Sequence, residues 1–312
     1  MNDNPLVTIG VLSYNSSKTI LDTLDSAYKQ TYNNIELIVS DDCSSDFTCS
    51  IVNNWMQSHK NRFVRCILLT IKQNTGTPSN CNRLCDTSNG IYIKIIAADD
   101  ILLDNCISDY VSFFKNNQRV KIAYSNYSCF CEDEEKIKRI VAERYGDDIN
   151  IPFDTDPKSQ MYFYLEKGFN ISPTVFMLKS LIVDVGKFIE KYKVFEDTPF
   201  YLKVMQSGVK IYHLPKKTVL YRVNAPSVTT EKKTEFYKVI FVSNLLQFRK
   251  DMVFPLYSKS DVLFWIREFS FRAQFWFTIK VLKNKRTRKN QLIYDLFKAL
   301  NPYYLLNKIF YK

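Results

Sequence analysis

The sequence predicts a doubly wound α/β domain followed by a helical, basic appendage, and three observations lead there. β-rich runs alternate with helix-periodic runs through the first half, and each strand leaves polar residues at its carboxyl end, the pattern of a mostly parallel sheet with right-handed crossovers. The stretch IYIKIIAADDILL, residues 91–103, carries a buried strand into two adjacent carboxylates, Asp99 and Asp100, at the edge where open α/β sheets bind ligands. Charge is segregated: residues 1–230 hold 26 Lys or Arg and 26 Asp or Glu, whereas residues 231–312 hold 17 and 6. The chain's net charge of +11 therefore lies entirely in the tail, which suits a neutral working domain joined to a segment that meets an anionic surface.

LVTIGVLS, residues 6–13, reads as the first strand, ending at Tyr14-Asn15. Ser16 or Ser17 can cap the helix that follows, whose Ile20, Leu21, Leu24, Ala27 and Tyr28 share a face. A second strand, 35–40, ends in Asp41-Asp42-Cys43-Ser44-Ser45-Asp46, a polar cluster that serves as loop and helix cap before a helix to about Met56. The spacing then predicts a strand over 64–71, a polar loop with Asn74 and Gly76, and a helix from Pro78 to about Cys85. Beyond Asp99-Asp100 a helix over 104–115 and a strand over 120–125 extend the alternation.

From Glu132 to Pro157 charges, Gly146 and two prolines replace apolar periodicity, so this stretch reads as a loop or insertion. A helix over 159–166, a strand SPTVFML over 172–178 and a short helix into Gly186 follow. Thr198 as cap and Pro199 as first residue place a helix after Glu196-Asp197, running to Gln206 and stopping at Gly208. Two short strands, 209–214 and 218–223, complete a domain expected to end near residue 230.

In the tail, residues 262–282 interleave Phe264, Trp265, Phe269, Phe271, Phe275, Trp276 and Phe277 with Arg267 and Arg272, and a Lys/Arg run to residue 289 follows. This composition suits an interfacial helix with aromatics at the headgroup boundary and cations on anionic lipid; helices packed on the domain with a basic outer edge suit it equally.

Several functions are excluded by what is missing. The eight cysteines form no CxxC pair and there are two histidines, which argues against zinc and for reduced thiols in a cytoplasmic compartment. No uncharged apolar run approaches the ~20 residues of a spanning helix. GxxxxGK[ST], a GxGxxG after the first strand and GxSxG are all absent, which argues against P-loop, dinucleotide-binding and α/β-hydrolase chemistry.

The acidic positions remain. Asp41-Asp42, Asp46 and Asp99-Asp100 follow strands of one sheet and should converge on one edge, with Glu196-Asp197 in a further loop. One carboxylate there could accept from a nucleotide base, another contact a ribose hydroxyl, and a third hold Mn²⁺ or Mg²⁺ on the diphosphate, with a separate carboxylate taking a proton from a nucleophile. Each also has a plainer use. Asp42 and Asp46 can cap a helix, Tyr14 can be core, Asp99-Asp100 can open a turn, Glu196-Asp197 can favour a helix dipole, and Arg222 can be an ion-pair partner.

Taken together, the motifs resemble the family 2 glycosyltransferases over about residues 5–230. VTIGVLSYN resembles the family's opening strand, IELIVSDDCSSDFT its second strand end, NTGTPSNCN its Asn-x-Gly loop, YIKIIAADD its metal-binding strand end, FEDTPFYLKVMQSGVKIYHLP its acceptor-side helix and LYRVNAPSVT its closing Tyr-Arg motif. The resemblance implies a GT-A fold, inversion at the anomeric carbon, and a UDP-sugar donor. It implies that Tyr14 stacks on uracil, Asn15 supports that turn and Asp42 bonds uracil N3. Asn74 and Arg83 belong to the nucleotide side, Asp99 to ribose and metal, Asp100 to the metal and Arg222 to the diphosphate, with Asp197 as catalytic base helped by Glu196. With the basic, aromatic tail it also implies a lipid-linked glycan acceptor in bacterial surface-polysaccharide assembly, at the cytoplasmic face of the membrane.

Three positions depart from the pattern. Cys43 stands where the family usually has glycine. Cys81 stands where many members have arginine, with Arg83 as the substitute, and Asn224 stands where relatives often have a metal-binding histidine, which leaves metal ligation to Asp100, the diphosphate and water. The competing reading is a non-catalytic module whose tail binds nucleic acid or lipid; the neutral, acid-bearing first 230 residues disfavour nucleic acid.

Overall fold

A computed structural model describes residues 4–131, 155–167, 170–223, 234–302 and 305. Most of the stretch read as an insertion, Gly146 among it, and Asn224 with the rest of the closing motif lie outside the described residues. The contacts divide the chain into Met1–Val223 and Asn224–Lys312.

The first unit begins with strictly alternating β and α elements: β1 Val7–Ser13, α1 Ile20–Tyr28, β2 Ile35–Asp41, α2 Thr48–His59, β3 Arg65–Leu69, α3 Thr77–Thr87 and β4 Tyr92–Ala97. The four strands pair in parallel in the order β3-β2-β1-β4, with Val7 beside both Ile35 and Tyr92. β2 is buried on both faces, and its one early polar residue, Glu36, is satisfied by the Thr8 hydroxyl at 2.6 Å. On α1, Ile20, Leu24 and Ala27 are buried at helical spacing, and burying Ile20 and Leu24 stabilises the fold by about 1.5–3 kcal/mol each. Gly10 lets α3 approach β1, because a Cβ there would lie 2.4 Å from a Leu84 methyl.

Beyond β4 the winding changes. β5 Ile101–Leu102, α4 Cys106–Asn116, β6 Ile122–Phe130, α5 Pro157–Lys167, β7 Phe176–Leu178, α6 Lys179–Asp184, α7 Asp197–Gln206 and β8 Tyr212–Arg222 complete the unit. The sheet order is β3-β2-β1-β4-β7-β6-β8-β5, so the short β7 sits antiparallel between β4 and β6. Asp99-Asp100 thus lead straight into β5, which pairs antiparallel with β8 at Ile101 and Leu220. The sheet is mixed and mostly parallel.

Several boundaries differ from the sequence expectation. The strand expected over 120–125 runs from Ile122 to Phe130. SPTVFML begins as a 3₁₀ turn, Ser172–Thr174, because Pro173 lacks a ladder donor, and becomes strand only at Phe176. The two short strands are one, β8, whose pairing with β6 slips between Leu214 and Lys217; the irregularity accommodates Pro215 with exposed Lys216 and Lys217. The helix after Phe195 starts at Asp197 with Glu196 at its cap position, two residues earlier than a Thr198 cap implies. The first helix starts at Ile20 with Thr19 as cap, later than Ser16 or Ser17 implies.

The second unit contains α8 Val239–Phe248, α9 Val262–Trp276 with a π-helical extension over Phe277–Val281, and α10 Arg288–Leu300. Among the described residues no helix is long and apolar enough to cross a membrane. All eight cysteines are free thiols.

Candidate active site

Parallel pairing places the ends of β1, β2 and β4 on one edge, and hydrogen bonds tie their loops together. Tyr14, just past β1, is 53% exposed, so its ring is available to a ligand and is not core. Asn15 turns the chain with φ +50°, a conformation asparagine tolerates. Its main-chain N–H donates to Ser44 Oγ at 2.7 Å, and its Oδ1 accepts from the Ser45 N–H at 2.8 Å. Asp46 accepts from the Thr48 N–H at 3.0 Å and from the Ser17 N–H at 3.1 Å, so it caps α2 and pins the loop after β1. Burial opposes its charge, but the bonds from Thr48 and Ser17 outweigh it and lower its pKa to about 2. Cys43 holds φ +68°, a left-handed conformation that favours glycine, so this turn is made without one.

Asp42 is buried and caps no helix. Its carboxylate accepts from Thr75 Oγ1 at 2.7 Å, the Gly76 N–H at 2.8 Å and the Thr75 N–H at 3.1 Å, while its carbonyl accepts from Asn74 Nδ2 at 3.1 Å. Arg83 Nη2 joins at 3.3 Å and donates more closely, at 2.7 Å, to Asn80 Oδ1. The Asn-x-Gly loop is therefore folded around Asp42. Gly76 must be glycine: its φ is +88°, and a Cβ would sit 2.4 Å from the carbonyl oxygen of Lys193, which also accepts from the Thr77 N–H at 3.0 Å. That contact anchors the segment leading into Glu196-Asp197.

At the β4 end, Asp100 is buried and Asp99 half-buried. The Arg222 main-chain N–H donates to Asp100 Oδ1 at 2.9 Å. Arg222 Nε donates to the Asp99 carbonyl at 2.8 Å, its Nη2 pairs with Asp22 at 2.5 Å, and its guanidinium lies 4.5 Å from the Phe130 ring centroid. Lys94, fully buried within β4, donates to the Pro173 carbonyl at 2.5 Å; burial lowers its pKa to about 8 against the opposing influence of Cys106 and Asp100. Even so, burial and then Asp99 push the Asp100 carboxyl up. Among the described residues its Oδ2 has no hydrogen-bond donor. Two adjacent carboxylates offering hard oxygen donors fit Mn²⁺ or Mg²⁺. Among the described residues no group of three His, Cys, Asp or Glu is placed to hold a metal, so the remaining ligands would be substrate or water oxygens.

Asp197 opens α7. Its Oδ2 accepts from Ser172 Oγ at 2.7 Å and its Oδ1 from the Thr198 N–H at 2.6 Å. Burial and then the neighbouring Asp197 push the Glu196 carboxyl up. Cys81 is buried beside this pair, and burial holds its thiol well above its ordinary range. A neutral thiol therefore lies beside Glu196-Asp197. Arg83 is turned to the Asp42 side instead.

Residues 8–185 match the family described as Glycosyl transferase family 2. The chain belongs to that family. It is an inverting glycosyltransferase. Among relatives of known name, it is 29% identical over 244 residues to the Escherichia coli UDP-Glc:alpha-D-GlcNAc-diphosphoundecaprenol beta-1,3-glucosyltransferase WfaP, covering 78% of this chain and 86% of that protein. The structure of S. aureus TarS 1–349 with UDP-GlcNAc superposes with a TM-score of 0.57 at 18% identity, over 85% of this chain and 80% of that one. A mannosyltransferase from Pyrobaculum calidifontis, in complex with GDP-Man and Mn²⁺, superposes with a TM-score of 0.54 at 19% identity, over 72% and 59%. These likenesses show a GT-A fold followed by C-terminal helices.

For this family member, reading the sequence alone missed four residues. Asp22 and Thr75 are polar residues in polar surroundings and give no signal. Ser172 is legible only as a residue before proline. Lys94 does give one: a single lysine within IYIKIIAA must either break the strand or find a buried acceptor.

Proposed function

We propose that the chain transfers a sugar from a UDP-sugar to a hydroxyl of a lipid-linked glycan during bacterial surface-polysaccharide assembly, at the inner face of the cell membrane. The observation that carries the reading is the Ser172–Thr174 turn. Its Ser172 hydroxyl holds Asp197, and its Pro173 carbonyl holds Lys94 of the strand that ends in Asp99-Asp100. One rigid turn thus couples a carboxylate suited to proton abstraction to a carboxylate pair suited to a divalent cation.

In this reading Asp197 accepts the proton of the acceptor hydroxyl, whose oxygen attacks the anomeric carbon from the face opposite the diphosphate, giving inversion in one displacement. Ser172 and the Thr198 N–H orient the carboxylate. Glu196, held neutral by burial, keeps a second negative charge from competing for the same proton. Tyr14 stacks on uracil and Asn15 fixes the turn beneath it. Asp42 bonds uracil N3 by exchanging its long contact with Arg83, since its shorter bonds hold the Asn74–Gly76 loop. Asp99 takes the ribose side, Asp100 leads in holding Mn²⁺ or Mg²⁺, and Arg222 faces the diphosphate. A cation bound there would stabilise charge developing on the leaving diphosphate. The relative WfaP acts on a diphosphoundecaprenol-linked sugar, which supports a lipid-linked acceptor. The cationic, aromatic segment 262–289 supports contact with an anionic membrane surface.

The test is a screen of nucleotide sugars for hydrolysis and transfer with and without EDTA. UDP-sugars should be turned over only with Mn²⁺ or Mg²⁺ present. Full activity after exhaustive chelation would contradict the role given to Asp100.

A further inference from the structure

The second unit contains a feature that transfer chemistry does not use. Between α9 and the end of α10 lies an open trough of 880 Å³. On α9 its wall is formed by Val262, Ile266, Phe269 and Ala273 with Trp265, and α10 contributes Phe297 and Leu300. The α9 positions recur at helical spacing from Val262 to Ala273, which at 1.5 Å per residue gives a stripe about 16 Å long. The two helices are fixed to each other. Asn301 Nδ2 donates to the Ser270 carbonyl at 2.9 Å, and the Phe277 and Phe297 rings stack with centroids 4.3 Å apart.

This trough is apolar yet open to water. Phe269 is 75% exposed, Leu300 69% and Val262 61%, all lining it. A contiguous apolar surface of this kind marks a binding site. Its composition selects the ligand. Apart from Lys259, Ser270 and Asn301 the lining is hydrocarbon and aromatic, and Asn301 and the Ser270 carbonyl are used on each other, so a sugar or nucleotide would find too few partners. Residues 255–302 carry 10 Lys or Arg against 3 Asp or Glu, and Lys259 is part of the lining. An apolar channel in a cationic segment complements an amphiphile with a hydrocarbon chain and a phosphate head.

We propose that the trough between α9 and α10 binds the hydrocarbon chain of the lipid-linked acceptor, with the lipid phosphate at its cationic rim. This rests on the lipid-linked reading of the acceptor given above. The chain would then be recognised by the protein directly, in addition to any contact of the tail with a bilayer.

The experiment titrates the full chain, in excess UDP to fill the nucleotide site, with farnesyl phosphate and with inorganic phosphate. Farnesyl phosphate should bind and inorganic phosphate should not. Phe269→Ser removes an exposed wall residue and leaves packing intact, and should weaken farnesyl phosphate by about tenfold. Ala273→Trp fills the trough and should abolish binding. Unchanged affinity in a folded Phe269→Ser protein, or no binding to the wild type, would overturn the proposal. So would a parallel loss of binding to phosphatidylglycerol vesicles in both variants, which would make the stripe a membrane face. The acceptor reading fails separately: equal kcat/KM for a soluble sugar acceptor and its farnesyl-diphosphate-linked form would overturn that reading whatever the trough binds.

Discussion

Cys81 and Glu196 show how burial sets the charge state of a site. The chain buries a neutral thiol beside Glu196 and Asp197, and burial followed by the charge of Asp197 holds the Glu196 carboxyl above its ordinary range. The folded chain therefore keeps a proton that the unfolded chain releases near pH 4.3. A raised carboxyl contributes stability that is full below the unfolded pKa and is lost as pH rises through the folded one. Glu196→Gln should flatten the decline of melting temperature between about pH 5 and pH 9, read by thermal unfolding across that range; an unchanged slope would show that Glu196 does not titrate there. Asp42 and Asp99-Asp100 stood out in the sequence because each follows a strand, whereas Glu196-Asp197 enter a helix. The partners of the site residues were not legible, since Ser172 lies 25 residues before Asp197 and Asp22 lies 200 before Arg222. Only the fold brings such pairs together.

At the scale of elements, the Asn74–Thr77 loop joins Asp42 to the chain entering α7, which in the proposed function are the nucleotide and acceptor sides. Asp42 holds it from below through Thr75 and Gly76, and Lys193 closes over it from the chain that enters α7. Gly76→Ala would need both a positive φ and a displaced carbonyl, and should cost about 1–3 kcal/mol. Because the same loop supports both sides, it should also raise the KM for the UDP-sugar by roughly tenfold. Denaturant unfolding and donor kinetics on one preparation check this. Wild-type behaviour in both would mean the loop is not a joint. The sequence marked this loop by its glycine but did not reveal that Asp42 builds it, because a carboxylate at a strand end looks the same whether it caps a helix, folds a loop or binds a base. β-rich runs and period-3.6 patterns located the first four strands and their helices, since those are regular and locally determined. β7 and the bulged β8 were misread because three-residue strands and a proline within a strand are set by their neighbours in the sheet.

Across the whole molecule, charge and chemistry are separated along the chain. The Met1–Val223 unit holds the carboxylate edge, and the Asn224–Lys312 unit carries the cationic and apolar helices. If the tail provides the membrane contact, a chain ending at residue 230 should stop co-sedimenting with phosphatidylglycerol vesicles, while the full chain should do so less as salt rises. Undiminished sedimentation of the shortened protein would place the contact elsewhere. The charge asymmetry was visible in the sequence; the trough was not, because it depends on two helices lying side by side. The central claim nonetheless concerns one atom, Oδ2 of Asp197, held by Ser172. It is tested most directly by kcat and UDP affinity of Asp197→Asn under saturating metal and acceptor. A fall in kcat of ~10² or more with near-normal UDP binding is the predicted result. Retained kcat, or loss of UDP binding in its place, would contradict the assignment of Asp197 as the base.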